Sequence, residues 1–264
     1  MNNYTSKFLL NIDSVKELYN IFSKESDKIY LVGGCVRDSF LGKEIKDFDI
    51  AAKLQPKKIL EVLNNHNIRY KNFAYRFGSI NANINNQKFQ ITSLREDINP
   101  TGRDTNILFT NSLRKDAMRR DFTFNAFYLL KDGMVKDFFN GQKDLNKKIV
   151  RFIGNPSNRI KEDYLRIFRY YRFLGLFEKP NYVENYESII NNFIHSSFDF
   201  LSNDIIRQEI LKMFKMPYVL NCFFENGPNS KKREWVKITY DYFKKNNYKM
   251  GLNKCLNKID LLIV

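Results

Sequence analysis

The chain has 264 residues, 43% of them hydrophobic, enough to bury a core in one large domain or two small ones. Its 44 lysines and arginines against 29 acids give a formal charge of +15 and point to a polyanionic partner, though the abundance of Asn, Lys and Ile matches AT-rich coding, which accounts for part of the excess. No apolar run reaches membrane-spanning length and the start, MNNYTSKFLLNIDSV, has neither a signal core nor a cleavage site, so a cytoplasmic protein is expected. Cys35, Cys222 and Cys255 are far apart, and His66 and His195 lack neighbouring ligands, which gives no support to structural zinc, a disulfide framework or a Cys/His nucleophile.

Taken in order, Asp13 reads as the cap of a first helix whose Val15, Leu18, Ile21 and Phe22 recur at helical spacing. An apolar run, Ile29 to Val32, then meets Gly33-Gly34, a short helical pattern follows, and a strand-like run, Phe48 to Ala52, carries Asp47 and Asp49. Two glycines at a strand end let backbone approach a ligand, and their N–H groups can cradle phosphate oxygens. Arg37 stands close enough to fork onto the same oxygens. Alternation along a strand points both aspartates to one face, where they repel unless a cation lies between them. Mg²⁺ held by one or two carboxylates plus substrate phosphates meets that need, and the matching reaction is attack of a hydroxyl on a nucleotide phosphate. Each piece alone has an ordinary reading, as a turn or a solvated strand edge. Neither the three-glycine dinucleotide fingerprint nor a P-loop ending is present.

The window LVGGCVRDSFLGKEIKDFDIA, residues 31–51, resembles the nucleotidyltransferases of the DNA polymerase beta superfamily. In its longer form it is similar to the class II tRNA nucleotidyltransferases (CCA-adding enzymes) and bacterial poly(A) polymerases. That resemblance implies an α+β protein: a mixed-sheet catalytic head over residues 1–138, a helical neck with a base-reading helix over 139–216, and a short basic helical body or tail over 217–264, where the family usually carries much more. It further implies Asp47 and Asp49 as catalytic ligands of Mg²⁺, with Gly34 and Arg37 on the triphosphate.

Pro56 opens a helix through Ile59, Leu60 and Leu63, and β-like runs follow at Phe77 to Ile84 and Lys88 to Leu94, the alternation of a mixed α/β domain. The superfamily often draws a third carboxylate from a later strand, where this chain has Gln90; Glu96, Asp97 or no third acid remain open. DINPTGRDTN, residues 97–106, reads as a polar loop. In the resembling family this place holds a flexible loop tied to the switch from adding C to adding A, with a pair like Gly102-Arg103. Arg119, Arg120, Asp121, Phe122, Thr123, Asn125 and Ala126 match the family's RRDFTxNA motif. Arginine suits a triphosphate or ribose, Asp121 can accept from ribose hydroxyls, and Asn125 can donate or accept; on spacing alone they make an ordinary capped helix start. Asp137, Gly141 and Asp144 also follow the family and read as structural.

Residues 158–173, NRIKEDYLRIFRYYRF, are expected to form one helix with Leu165, Phe168 and Tyr171 or Phe173 toward a core and Glu162, Asp163, Arg166, Arg169 and Arg172 away from it. Cytosine and adenine both show an amino donor beside a ring-nitrogen acceptor, so an accepting Asp163 and a donating Arg166 fit C and A and clash with U and G. This resembles the family's EDxxR motif, which stands in for a template. Arg169 then suits a nucleotide or phosphate contact and Arg172 an ion pair, although the family pattern includes all three arginines. Leu201, Ile205, Ile206, Ile210 and Phe214 form an apolar stripe that suits bundle packing. At the end, lysines alternate with Trp235, Tyr240, Tyr242, Phe243 and Tyr248: rings for a core, lysines for RNA.

The resemblance therefore implies a template-independent transferase that builds CCA on tRNA 3′ ends from CTP and ATP and releases pyrophosphate. A poly(A) polymerase or a partial CC- or A-adding enzyme shares every motif, and a non-catalytic RNA-binding protein is the alternative of a different class. Oligomeric state is not legible.

Overall fold

A computed structural model describes residues 6–102, 104–225 and 231–245. It divides into two compact units, Met1–Ile98 with Asn106–Lys143, and Asn99–Thr105 with Asp144–Val264.

The first unit opens with α1 (Asp13–Ile21), which buries Val15, Leu18 and Ile21 as their spacing demands. Asp13 is the first helical residue rather than the cap; its carboxylate lies 3.4 Å from Lys16 Nζ, and Ile12 takes the cap position without a side-chain bond. Then come β1 (Ile29–Val32), α2 (Gly34–Phe40), β2 (Phe48–Ala52), α3 (Pro56–Asn65), β3 (Tyr70–Lys71), β4 (Ser79–Ile84) and β5 (Gln87–Ser93). After β6 (Arg95–Thr101) and β7 (Asp104–Phe109), the unit continues with α4 (Leu113–Met118), β8 (Phe127–Leu129), β9 (Val135–Asp137) and the start of α5 (Gly141–Asn146). Seven strands form one mixed sheet in the order β3-β4-β5-β2-β1-β8-β9, in which β2 and β5 run parallel and the other pairs antiparallel.

β1 and β8 are buried throughout, whereas β4 and β5 alternate. Ile80, Ala82, Ile84, Phe89 and Ile91 pack inward, and Asn81, Asn83, Lys88 and Gln90 face out. Asn85 and Asn86 both take positive φ, the conformation that a two-residue hairpin turn needs.

Residues 97–101 and 104–106 are not the polar loop expected from their composition. They lie in the two-stranded β6–β7 sheet, and Gly102, just past β6, has φ +71. Ladder pairing satisfies the backbone of a segment whose side chains carry no strand signal. Within the second unit, Gly102 N–H donates to the Lys161 carbonyl at 2.8 Å and the Gly102 carbonyl accepts from Tyr164 N–H at 3.2 Å. A Cβ at Gly102 would collide with the Phe200 ring. Arg103 lies outside the described residues.

The second unit is helical: α6 (Pro156–Glu162), α7 (Leu165–Leu174), α8 (Tyr186–Phe200), α9 (Asn203–Met213), α10 (Leu220–Phe223) and α11 (Glu234–Lys245). The helix expected over 158–173 is two helices, broken at Asp163, whose backbone is extended (φ −152°, ψ 102°). Asp163 Oδ1 accepts from Leu165 N–H at 3.1 Å, so the carboxylate starts α7 instead of riding along a continuous helix. Trp235 and Phe243 are buried and Trp235 stacks on Tyr171, which makes the C-terminal rings core; Tyr240 is exposed, and Tyr248 and Cys255 lie outside the described residues.

Candidate active site

Gly33 caps α2 at φ +72, and a Cβ there would stand 3.2 Å from Arg120 Nη1 and 3.9 Å from Asp49 Oδ2. The glycine is needed for both its backbone and its lack of a side chain. Its N–H donates to the Phe127 carbonyl at 3.1 Å, so of the two glycines Gly34, opening α2, is the one whose N–H has no helical partner. Beneath the turn, Cys35 is buried, and burial pushes its thiol up to about 12.

Asp49 is the second residue of β2, and the exposed Asp47 directly precedes the strand, with buried Phe48 between them. Alternation thus puts the two carboxylates opposite Phe48. Asp49 pairs in register with Gln90 of β5, and Gln90 Nε2 donates to Ser79 Oγ at 3.1 Å. The alternative acids are engaged elsewhere: Glu96 with Lys115 at 3.0 Å and Asp97 with Arg95 at 3.5 Å. Among the described residues no three His, Cys, Asp or Glu gather as a metal site.

Asp49, Ser79, Gln90, Thr92, Arg95, Arg119 and Arg120 line a cavity of about 350 Å³. Three guanidiniums line this one small cavity; burial, followed by the Arg119 charge, pulls Arg95 down to about 10. What holds them is Asp116, a residue that the sequence reading passed over. It is buried in α4, accepts from Arg119 Nε at 2.9 Å and Arg120 Nη2 at 3.3 Å, and accepts the Tyr128 hydroxyl at 2.6 Å. Burial pushes its carboxyl up, but Arg119 and Arg120 outweigh that and hold it at about 2. The available signal was spacing: Asp116 precedes the two arginines by three and four residues on a helical pattern.

Arg37 is buried, with partners in its own unit. Its Nε and Nη2 fork onto Asp38 at 2.9 and 2.8 Å, and Nη1 donates to Asn125 Oδ1 at 2.6 Å. Asn125 Nδ2 in turn donates to Asp121 Oδ1 at 3.0 Å, which also accepts from Phe122 N–H. The chain Arg37–Asn125–Asp121 therefore fixes the RRDFTFNA turn against α2. Asp137 acts structurally as expected, accepting from the N–H groups of Phe139, Gly141 and Gln142, and Asp144 receives Arg151 Nε at 3.0 to 3.1 Å.

In the second unit, Arg166 is buried, against the expectation that it faces away from the core. It donates to Glu162 Oε2 at 2.8 Å and to the Arg159 carbonyl at 2.7 Å. Asp163 and Arg166 remain neighbours as helix start and first turn, with Arg166 N–H on the Asp163 carbonyl at 3.0 Å. Arg169 lies over the Phe173 ring, 5.4 Å from its centroid. Arg172 pairs with Glu209 of α9, an acid buried in the bundle and also held by Lys212 at 3.0 Å.

A family model described as the poly A polymerase head domain matches residues 29–151. The human mitochondrial CCA tRNA nucleotidyltransferase 1 is 41% identical over 170 residues, 64% of this chain and 39% of that protein. A CCA-adding enzyme of Oceanobacillus iheyensis is 32% identical over 192 residues, 72% of this chain and 46% of the other. A Bacillus stearothermophilus CCA-adding enzyme solved with CTP superposes with a TM-score of 0.69 at 23% identity, covering 80% of this chain and 50% of that one. The chain belongs to the class II CCA-adding family. It spans less than half the length of these two sequence relatives.

Membership in this CCA-adding family implies a divalent cation, and the donor set fits one. Two carboxylates at a strand end would suit a metal that completes its shell with water and phosphate. No helix among the described residues is long and apolar enough to cross a membrane.

Proposed function

We propose that the chain is a cytoplasmic, template-independent tRNA nucleotidyltransferase that adds CCA to tRNA 3′ ends from CTP and ATP and releases pyrophosphate. The observation that carries this reading is the cavity where Asp49 faces Arg95, Arg119 and Arg120, a match for a nucleoside triphosphate beside a metal-binding acid. Asp47 and Asp49 would hold Mg²⁺, which when bound supplies Lewis-acid stabilisation at the phosphate and a more acidic primer hydroxyl. Gly34, Arg37 and Arg120 hold triphosphate and sugar, Arg37 by fixing Asn125, with Asp121 accepting from the ribose. Asp163 and Arg166 select the base by the donor and acceptor logic of C and A; Arg169 assists at the nucleotide, and Arg172 holds α7 to α9 and through it the reading residues. In this reading residues 1–138 are the catalytic head, 139–216 the selecting neck and 217–264 a basic body that meets tRNA.

Incubation with tRNA lacking CCA and each of the four labelled nucleotides tests the proposal. Three additions, drawn only from CTP and ATP, are expected. Incorporation of UTP as readily as CTP defeats the base-selection role, and a growing A ladder assigns a poly(A) polymerase instead. Replacing Asp47 and Asp49 together by Ala is expected to abolish incorporation while leaving tRNA binding; unchanged function would make the chain a non-catalytic RNA binder.

A further inference from the structure

Residues 62–95 contain no acid and five basic side chains, Arg69, Lys71, Arg76, Lys88 and Arg95, in a chain where acids are otherwise common. The structure turns this stretch into one surface. The register of β2, β5, β4 and β3 lines up Asp49, Gln90, Asn81 and Lys71 as successive cross-strand neighbours. The residues that alternate with them, Phe48, Phe89 and Ala82, are buried, so the row lies on the sheet's open face. At a strand spacing of about 4.8 Å it runs roughly 14 Å from the carboxylate to the sheet edge. Just past Lys71 stands Phe73, 90% exposed, the most exposed large apolar side chain described. Arg69, Tyr75 and Arg76 are exposed around it, and Ala74 and Phe77 of the same segment line the cavity that holds Asp49.

We propose that this row is the path of the RNA primer's single-stranded 3′ end, with Phe73 stacking a base at its outer end. The inference rests on the nucleotidyl-transfer reading of the cavity. The chemistry is specific to such a strand. Amides of Asn81 and Gln90 offer donors and acceptors to sugar hydroxyls, Lys71 and Arg76 neutralise phosphates, and an exposed ring takes a base face in any sequence context. The absence of acids keeps a polyanion from being repelled anywhere along the row but at the carboxylates, where the reaction needs them. A protein partner would not call for a basic, amide-lined track that ends at a catalytic acid.

The test uses the full chain carrying Phe73→Ala, Phe73→Trp and Lys71→Ala, with steady-state extension of a tRNA ending in CC and anisotropy of a labelled single-stranded RNA ending in CC. Phe73→Ala is expected to raise the KM for primer about tenfold with the KM for ATP unchanged, and Phe73→Trp to restore it. Lys71→Ala is expected to reduce the slope of log affinity against log salt by about 0.7. Because Phe73 buries almost nothing, unchanged melting of its variants is expected, and the effect is not one of folding. Wild-type primer KM and wild-type RNA affinity in Phe73→Ala and Lys71→Ala overturn the path. If the wild-type chain extends no RNA, the reading of the cavity falls, while weakened RNA binding in the two variants still upholds the path.

Discussion

Asp116 joins two arginines of the cavity, a tyrosine hydroxyl and the Arg95 backbone, and its carboxyl is held at about 2 against an ordinary 3.8. The folded value is the lower one, so its stabilisation is fully present above about pH 4 and is lost as pH falls from there toward 2. The shift corresponds to about 2–3 kcal/mol. In urea unfolding, Asp116→Asn is expected to lower stability by that order at pH 7 and to flatten its fall between pH 4 and 2. Arg172 separates a structural role from a nucleotide role in a similar way. Removing it leaves the buried Glu209 with Lys212 as its remaining ion pair, so Arg172→Ala should cost up to about 3 kcal/mol, with much of the loss recovered in the double variant with Glu209→Gln. A variant that melts normally yet binds CTP poorly would assign Arg172 to the nucleotide instead. Burial pushes Cys35 and Cys222 up to about 12 each, so neither is expected to react with a thiol reagent at pH 8 until the chain is unfolded.

Among the elements, the break at Asp163 bears most directly on the proposed base selection, because its carboxylate starts α7 while its carbonyl accepts from Arg166 N–H. Asp163→Asn keeps an accepting oxygen for Leu165 N–H and removes the charge, so melting should hold while UTP incorporation rises. Asp163→Ala should in addition cost about 1 kcal/mol. The break was hidden in the sequence because Ile160, Tyr164, Phe168 and Tyr171 keep helical spacing across it, and apolar periodicity does not register one extended residue. β6 and β7 were hidden for the opposite reason: Asn99, Pro100, Thr101 and Gly102 advertise a turn, and the ladder that orders their neighbours is formed by backbone, which has no letter. Elements with apolar alternation or spacing were legible, β1 and β2 to the residue.

At the scale of the molecule, the family and the α+β class were readable because four motifs occur in order, each with glycine, acid or arginine at fixed spacing. The partners of those motif residues were not readable. Arg37 to Asn125 spans 88 residues and Arg172 to Glu209 spans 37, and no local pattern reports a contact made only after folding. The net charge of +15 predicts that tRNA affinity falls steeply with salt, whereas nucleotide affinity within the arginine cavity changes less. Chelation of divalent cations is expected to stop incorporation, and adding back Mg²⁺ to restore it.

The positive-φ bends have a further consequence for how this protein changes over time. Asn67, Asn85, Asn86, Asn99, Asn140 and Asn185 occupy backbone regions usually left to glycine. Glycine triplets are rich in G and C, those for asparagine in A and T, and asparagine tolerates the left-handed region. A genome drifting toward A and T can therefore rewrite the corners of this chain letter by letter while the strands they join keep their register.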